Sequence, residues 1–380
     1  MTSNTGTVSD MACCTIVTKS HLAYAQVLAK SLAEHNPQCK MFVLLADRID
    51  GFFDPQKYPF ELITLAELKD QKDVQRMCFY YSPSELCFNL RPWLHEYMYQ
   101  QSKFEKWIYL DSDILICNSL NKISVQLDKT SILLSPHLIS IETPAAINVK
   151  AVRKLESNLL HKGGIYNGGF LALRKTADSH AFIQWFKDHL RFYGFDNRPL
   201  QSGDQFWLTY VPLYFKEVSV LRDPGANLAY WNLYERDIKQ DDSGKIMVNG
   251  SPLLFFHFAG FDMQSQNKLT KYELPKDLTT VPSSIEKLAN KYRRLMLENG
   301  YGDSIQYPYA FAKFKTGQTI TPDMRRIYFE DLFQGKSSEV SPFERYAYFR
   351  SRLSSRNYKD FLKNAAKPLV KHIRKWFNTV

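Results

Sequence analysis

The ten residues 107–116 limit the possible folds more than any other segment, because an apolar run leads into two aspartates. Residues 107–110 and 114–116 are apolar and flank Asp111 and Asp113. Such a run is typical of a strand buried on both faces, as in a parallel sheet. Two carboxylates at its end are costly to bury unless a cation neutralises them. The segment predicts a divalent cation, Mg²⁺ or Mn²⁺, at the carboxyl end of a central strand, with an Asx-turn as the alternative.

The first 45 residues have the pattern of a β-α-β unit, which favours a parallel sheet with a right-handed crossover. Residues 11–18 and 41–45 are apolar runs, and Ser20 between them can cap a helix over 21–35. Further predicted strands are residues 60–65, 131–135, a run ending near Leu173, and 253–258. We therefore predict a Rossmann-like α/β fold with a mostly parallel central sheet flanked by helices.

Length and composition allow one large domain with an appendage. The chain has 380 residues, of which 44% are hydrophobic, enough for a globular domain of about 250 residues. Beyond about residue 262, polar and proline-containing segments replace the strand pattern. We predict a flexible tail over 1–10, a sheet domain over 11–262 and a helical, basic region over 263–380.

The net charge of +10 is concentrated at the C-terminal end of the sequence. Residues 343–380 contain ten lysines and arginines against two acidic residues, so their net charge is +8 and residues 1–342 carry +2. Aromatic and apolar residues alternate with these cations, as in basic helices that lie on anionic membranes. We predict membrane association for this region, with a helix packed on the main domain as the alternative. No binding motif for nucleic acid accompanies the charge, so nucleic acid is not an expected partner.

Three features of the sequence favour a cytoplasmic location. No stretch approaches about 18 consecutive apolar residues, and the first residues lack the basic and apolar regions of a signal peptide. The six cysteines have no zinc-ligand spacing and lie mostly in apolar runs, which indicates reduced core residues. We expect a cytoplasmic protein that can bind peripherally to the inner face of the plasma membrane.

Three short motifs follow the two aspartates, and each supplies groups suited to a sugar or a metal. They are Asn167-Gly168-Gly169, Gly203-Asp204-Gln205 and His257-Phe258-Ala259-Gly260. The glycines of the first allow close backbone approach and its asparagine can hydrogen-bond a sugar hydroxyl, although an ordinary turn has the same sequence. The second lies at a predicted helix start, where capping is the alternative. The histidine of the third ends a predicted strand and suits a metal ligand, with a core histidine as the alternative.

Taken in order, these motifs resemble those of the metal-dependent GT-A glycosyltransferases, especially glycogenin and the bacterial lipopolysaccharide galactosyltransferases. The resemblance covers residues 11–262, which would form the catalytic GT-A domain with a C-terminal helical, basic extension. Residues 15–18 are similar to the opening nucleotide-binding strand of that family, and residues 111–113 are similar to its DxD motif. The three later motifs are similar to its Asn-Gly-Gly, Gly-Asp-Gln and His-x-x-Gly segments.

The resemblance implies a donor site, a catalytic pair and a metal site. The implied donor-binding residues are Thr15, Val17, Thr18, Arg91, Asp111, Ser112, Asp113, Asn167, Gly168, Gly169, Gly260 and Lys268. The implied catalytic residues are Asp204 and Gln205, and the implied ligands of Mn²⁺ or Mg²⁺ are Asp111, Asp113 and His257. The implied reaction moves a sugar from a nucleotide diphosphate sugar, with a UDP-sugar expected, to a glycan or lipid-linked acceptor. Retention of configuration and a place in bacterial surface polysaccharide synthesis are also implied.

The chain departs from the family's pattern at two places. A lysine commonly follows His-x-x-Gly closely, whereas the first lysine here is Lys268; Arg91 is the basic residue expected before the aspartates. The tyrosine that stacks on uracil in glycogenin has no clear counterpart near His21. Residues 222–232 are polar and are a predicted cleft loop that shapes the donor or acceptor pocket.

Two other functions fit parts of the sequence. A haloacid-dehalogenase-like phosphatase also has Asp-x-Asp after an apolar strand, but it expects Thr or Val where this chain has Leu115. A glycan-binding relative without turnover would keep the fold, although the intact set of two aspartates and a histidine argues against it. Inversion is the alternative to retention if Asp204 acts as a base on the opposite face of the sugar.

Overall fold

The computed structural model describes residues 11–101, 103–140, 147–195, 203–265, 268–336 and 338–354. Its strands are β1 Met11–Val17, β2 Lys40–Leu45, β3 Glu61–Thr64, β4 Lys106–Leu110, β5 Ile114–Ile116, β6 Ile132–Pro136, β7 Tyr166–Arg174, β8 Val218–Val220, β9 Leu228–Ala229, β10 Ile238–Gln240, β11 Ile246–Val248, β12 Ser251–Pro252 and β13 Phe255–His257. Its α-helices are α1 Leu22–His35, α2 Gln71–Tyr80, α3 Pro83–Asn89, α4 Arg91–Gln100, α5 Asn121–Leu127, α6 Val149–Gly163, α7 Ala177–Tyr193, α8 Gln205–Leu208, α9 Val211–Tyr214, α10 Ser283–Glu298, α11 Tyr301–Ser304, α12 Pro322–Phe333 and α13 Tyr346–Ser354.

A seven-stranded sheet in the order β3-β2-β1-β4-β7-β6-β8 forms the centre of the fold. Strands β3, β2, β1 and β4 are mutually parallel, and β6 is parallel to β8, while β7 is antiparallel to both of its neighbours. Every residue of β1 and β4 is buried, as expected for parallel strands covered on both faces. The predicted mostly parallel α/β sheet with flanking helices is confirmed.

The antiparallel strand β7 determines which groups lie at the carboxyl end of β4. Because β7 runs against β4, its first residues lie beside the carboxyl end of β4, with Phe170 opposite Leu110. The backbone N–H of Asp111 donates to the carbonyl of Gly169 at 2.8 Å. The Asn-Gly-Gly segment therefore lies directly beside the two aspartates.

The apolar residues 114–116 leave the central sheet after the aspartates. They form β5, which pairs antiparallel with β13, so that Ile114 lies opposite His257. Strand β9 pairs parallel with β13 on its other side. The turn over residues 111–113 thus joins two sheets, and this junction brings His257 to the aspartates.

The helical segment before β4 is divided into two helices. Helix α3 ends at Asn89, and α4 begins at Arg91 with Pro92 within its first two positions, where the missing N–H costs no hydrogen bond. This start places Arg91 at the N-terminus of α4, 3% exposed.

The described chain forms two compact units. The first contains residues 11–74 and 83–310, and it continues well beyond the boundary near residue 262 that the sequence predicts. The reason is a shared apolar cluster: Tyr292 of α10 stacks on Phe258 with ring centroids 4.0 Å apart, and Ile285 is buried in the same cluster. Because residues 263–282 are mostly polar, the sequence gives no indication that the following helix α10 packs into the core of the first unit.

The second unit contains residues 75–82 and the described residues from 311 onward. Phe79 is surrounded there by aromatic rings, among them Tyr328 and Phe349. The described part of this unit contains the helices α12 and α13. Residues 355–380, which carry most of the predicted membrane-binding segment, lie outside the described residues. No helix in the described part of the chain is both long and apolar enough to span a bilayer.

Candidate functional site

Two carboxylates and one imidazole converge where β4, β5 and β13 meet. Nε2 of His257 lies 3.1 Å from Oδ1 of Asp113 and 4.0 Å from Oδ2 of Asp111. One ligand atom from each of the three residues lies within 4.8 Å of the others. Carboxylate oxygens and a neutral imidazole are ligands for divalent metals, so this donor set fits such a cation. The three metal ligands predicted from the sequence are thus brought together.

The charges of Asp113 and His257 support each other. Burial alone would raise the pKa of Asp113, but the charge and hydrogen bond of His257 outweigh burial and hold that pKa below its usual value. Burial alone would lower the pKa of His257, but the charge of Asp113 outweighs burial and raises that pKa. In the absence of a metal the two groups therefore form an ion pair, and a divalent cation would take the place of the proton on Nε2 of His257.

Arg91 bridges two further carboxylates of the site. Its Nη2 donates to Oδ1 of Asp111 at 2.6 Å, and its Nη1 donates to Oδ2 of Asp204. The hydroxyl of Tyr109 donates to the same oxygen of Asp111 at 2.8 Å, and its ring lies 4.7 Å from the guanidinium carbon. Burial raises the pKa of Asp204, and Arg91 offsets only part of that effect. One guanidinium thus links Asp111, an implied metal ligand, to Asp204, an implied catalytic residue.

The two glycines of the Asn-Gly-Gly motif are required by close packing. A Cβ at Gly168 would overlap Arg91 and lie 2.7 Å from Oδ2 of Asp204. A Cβ at Gly169 would overlap the ring of His257 and lie 3.0 Å from Oδ2 of Asp111. The close backbone approach predicted for these glycines is therefore present, and it is to the site's own side chains.

The amides of Asn167 and Gln205 face each other across β7 and α8. Oε1 of Gln205 accepts from Nδ2 of Asn167 at 3.0 Å and from the N–H of Gly168 at 2.8 Å. Nδ2 of Asn167 also donates to Nε2 of His137 at 3.3 Å. Burial lowers the pKa of His137 to about 4, so its ring is neutral at pH 7 and can accept this bond. Both amides are held in one orientation.

Other donor-binding residues predicted from the sequence lie apart from this group. Thr15 and Val17 are buried within β1, and Lys268 is exposed on the surface. Gly260 has a φ of +66° and packs against the ring of Tyr272. Ser112 lies on the turn between the two aspartates, and the hydroxyl of Thr18 lies 3.2 Å from Nδ1 of His21. The donor-binding roles of these residues stay predictions.

Sequence reasoning missed three residues near the site. Burial of the His21 ring among neighbouring protein atoms lowers its pKa, with Asp113 opposing this effect and Lys271 adding to it. His21 therefore lies within electrostatic reach of Asp113, and Lys271 lies within reach of His21. Asn227, in the predicted cleft loop, hydrogen-bonds both Asn167 and His257. The polarity of the loop could have indicated Asn227, and the position of Lys271 as the second lysine after Gly260 could have indicated that residue.

Comparisons with known proteins find distant relatives. No model of a known protein family matches the chain. The chain is 25% identical over 260 residues to the uncharacterized protein YfnD of Bacillus subtilis (strain 168), with 67% of this chain and 79% of YfnD covered. It is 26% identical over 284 residues to the uncharacterized protein YfnF of the same organism, with 70% of this chain and 88% of YfnF covered.

Two solved structures to which the chain is similar are glycosyltransferases by name, the class that the sequence motifs resemble. One is the galactosyltransferase LgtC in complex with donor and acceptor sugar analogs, at a TM-score of 0.45 and 16% identity, covering 76% of this chain and 96% of LgtC. The other is GlyE of Streptococcus pneumoniae TIGR4, at a TM-score of 0.42 and 16% identity, covering 81% of this chain and 67% of GlyE. These similarities are remote, and the functional conclusion rests on the geometry of the site.

Proposed function

We propose that the chain is a metal-dependent glycosyltransferase of GT-A fold that moves a sugar from a nucleotide diphosphate sugar to an acceptor hydroxyl. The observation that carries this proposal is the convergence of Asp111, Asp113 and His257 at a sheet edge beside Asn167 and the Asp204–Gln205 pair. Open α/β sheets bind ligands at the carboxyl ends of their strands, where this group lies. Mn²⁺ or Mg²⁺ is the proposed cation.

The reaction requires stabilisation of negative charge, because the departing diphosphate becomes more negative as the anomeric carbon becomes positive. When bound, a divalent cation at Asp111, Asp113 and His257 supplies positive charge to that leaving group. Fixed groups that need no reorganisation lower the barrier most effectively. The ion pair of Arg91 with Asp111 fixes one carboxylate before a donor arrives. Lys271, whose charge acts on His21 beside Asp113, would be an additional cation for the diphosphate, and Lys268 is the alternative predicted from the sequence.

The sugar-binding side is proposed to consist of Asn167, Asp204 and Gln205. Asn167 and Asp204 would bind sugar hydroxyls, and Gln205 would lie on the far face of the anomeric carbon. The carboxylate of Asp204 is bound by Arg91, so it is held by a guanidinium rather than free to take a proton from an acceptor. This pairing supports retention of configuration over inversion.

The acceptor is proposed to be a glycan or a lipid-linked glycan of bacterial surface polysaccharide synthesis. The support is the basic segment over residues 343–380, which would bring the enzyme to an anionic membrane. Flotation with anionic liposomes tests this: the full chain should float, and a chain truncated before Phe343 should not. Equal flotation of the two would contradict membrane binding through this segment.

A donor-hydrolysis screen tests the reaction itself. The chain should release nucleoside diphosphate from at least one of the UDP-, GDP- and TDP-sugars with Mn²⁺, and Asp113→Ala should abolish this while remaining folded. Hydrolysis of phosphomonoesters alone would instead support the phosphatase. Binding of glycans without turnover of any donor would support the non-catalytic relative.

A further inference from the structure

We propose that Asn227 is a positioning residue that orients the metal-binding imidazole and the sugar-binding amide with one side chain. The inference rests on the proposed function, because it assigns Asn227 to the same site. Asn227 lies between the two halves of that site, 1% exposed, with His257 on one side and Asn167 on the other.

The backbone at Asn227 is held in an uncommon conformation. Its φ is +51°, in the left-handed region that asparagine and glycine tolerate best. Its carbonyl accepts from Nδ2 of Asn232 at 3.0 Å, and the next residue, Leu228, pairs with Phe256 in the small sheet. These contacts fix the backbone at Asn227, so the position of its Cα and the direction of its side chain are defined.

The direction of each hydrogen bond follows from one backbone group. The N–H of Gly169 can only donate, and it donates to Oδ1 of Asn167 at 3.2 Å. The atom of Asn227 that faces the same oxygen at 3.2 Å must therefore be its donor, Nδ2. The remaining atom of Asn227, Oδ1, must then accept, and it lies 3.3 Å from Nδ1 of His257.

This deduction defines the orientation of the imidazole. Because Oδ1 of Asn227 accepts a hydrogen bond, Nδ1 of His257 carries a proton, and Nε2 is the nitrogen that faces Asp113 and Asp111. Metal-binding histidines commonly donate their second ring N–H to such an outer acceptor. The ring of Trp231 packs at right angles against that of His257, with centroids 5.3 Å apart, and limits its rotation.

The same amide also orients the sugar-binding side. By donating to Oδ1 of Asn167, Asn227 leaves Nδ2 of Asn167 directed at Gln205. A second donation of Nδ2 of Asn227, to Oγ of Ser135 at 3.2 Å, holds the amide plane. Loss of the whole Asn227 amide should therefore weaken both metal binding and binding of the donor sugar. Replacing only the NH₂ group of that amide should weaken binding of the donor sugar alone.

Two variants and one control test this. Asn227→Gly removes the amide while keeping a residue that tolerates positive φ, and Asn227→Asp keeps an acceptor for His257 but loses the donor to Asn167. Asn249→Gly is the matched control, because Asn249 is exposed and has a φ of +47°. Mn²⁺ affinity is measured by titration calorimetry without any donor, and affinity for a UDP-sugar is measured at saturating Mn²⁺. Circular dichroism verifies the fold of each variant.

We expect Asn227→Gly to weaken Mn²⁺ binding by about 10- to 100-fold, as removal of an outer hydrogen-bond partner does at other metal sites. Asn227→Asp should keep Mn²⁺ affinity within about threefold, since the acceptor remains, yet weaken UDP-sugar binding about tenfold, since two oxygens then face each other. Asn249→Gly should change neither affinity.

Four results would overturn the inference. Mn²⁺ affinity of Asn227→Gly equal to that of Asn249→Gly would exclude the positioning role. Equal losses of Mn²⁺ affinity in folded Asn227→Gly and Asn227→Asp would indicate a packing role only. If the glycine variant does not fold, Asn227→Asp decides between the two roles: unchanged UDP-sugar affinity in that variant would overturn the inference. Absence of saturable Mn²⁺ binding by the unaltered chain would contradict the proposed metal site itself, and the inference with it.

Discussion

Two buried arginines, one in each unit, bind different partners. Arg91 in the first unit is 3% exposed and pairs with the carboxylates of Asp111 and Asp204. Arg325 in the second unit is 9% exposed and donates to main-chain carbonyls, those of Phe79 and Tyr81 among them. The partners of Arg91 are charged groups that a ligand can also use, whereas the partners of Arg325 are structural.

The surroundings of the two arginines differ in the same way. Arg91 pairs with carboxylates beside the ring of Tyr109, and glycines leave room for close contact. Around Arg325, aromatic rings pack on Phe79, and the arginine satisfies carbonyls at the end of α2, where a cation is also favoured by the helix dipole. The contacts of Arg91 are therefore those expected at the proposed ligand site, whereas the contacts of Arg325 hold the second unit together.

The largest expected effect is on stability in the second unit. Arg325→Met should lower the free energy of unfolding by about 3 kcal/mol or more, because buried carbonyls lose a charged donor. Chemical denaturation measures this. Mn²⁺ affinity measured under native conditions should be unchanged; a fall in that affinity with unaltered stability would break the contrast between the two regions.

The next effect is on turnover in the first unit. Arg91→Lys keeps the charge but loses the planar fork that binds two carboxylates at once. We expect a fall in kcat/KM for donor hydrolysis of about 100-fold, equivalent to about 2.7 kcal/mol. Stability should change far less than in Arg325→Met. Full activity of the lysine variant would show that the bridge between Asp111 and Asp204 has no function.

A smaller effect is expected from filling the space at Gly169. Gly169→Ala should overlap the ring of His257, which costs about 1–3 kcal/mol and displaces a metal ligand. Mn²⁺ affinity should fall about tenfold in calorimetry, since His257 moves. Gly302→Ala is the control, because no atom lies within 4 Å of its added Cβ. Equal Mn²⁺ affinity in the two variants would contradict the role given to close packing.

The smallest effect separates two exposed lysines. Lys271→Ala should weaken UDP-sugar binding about fivefold, because its charge acts on His21, which is itself within reach of Asp113, whereas Lys268→Ala should not. Raising the salt concentration should reduce the difference between the two variants, since exposed charges are screened. A larger loss of UDP-sugar affinity in Lys268→Ala than in Lys271→Ala would instead support a diphosphate contact by Lys268, the lysine predicted from the sequence.

Much of the site was predictable because strand ends are marked in the sequence. Apolar runs end at Asp111 and His257, and the carboxyl edge of a parallel sheet is where such ends converge. The contacts that proved harder to predict are those set by tertiary packing. Stacking of Tyr292 on Phe258 extends the first unit to residue 310, and no local pattern signals it.

The role proposed for Asn227 could not be predicted from the sequence for a similar reason. The sequence marks residues 222–232 as a polar loop, but the hydrogen bonds of Asn227 reach residues 60 positions earlier and 30 positions later. Lys271 is likewise distinguished from Lys268 only by the chain path, because its N–H returns to the carbonyl of Gly260 at 2.8 Å. Spacing along the chain does not contain that information.

The most direct test of the central claim, that Asp111, Asp113 and His257 hold a cation that binds the donor's diphosphate, is the equilibrium binding of UDP with and without Mn²⁺. The unaltered chain should bind UDP at least about 100-fold more tightly with Mn²⁺ than with EDTA, and Asp113→Asn should abolish that difference. UDP binding of equal strength in Mn²⁺ and in EDTA would contradict the claim.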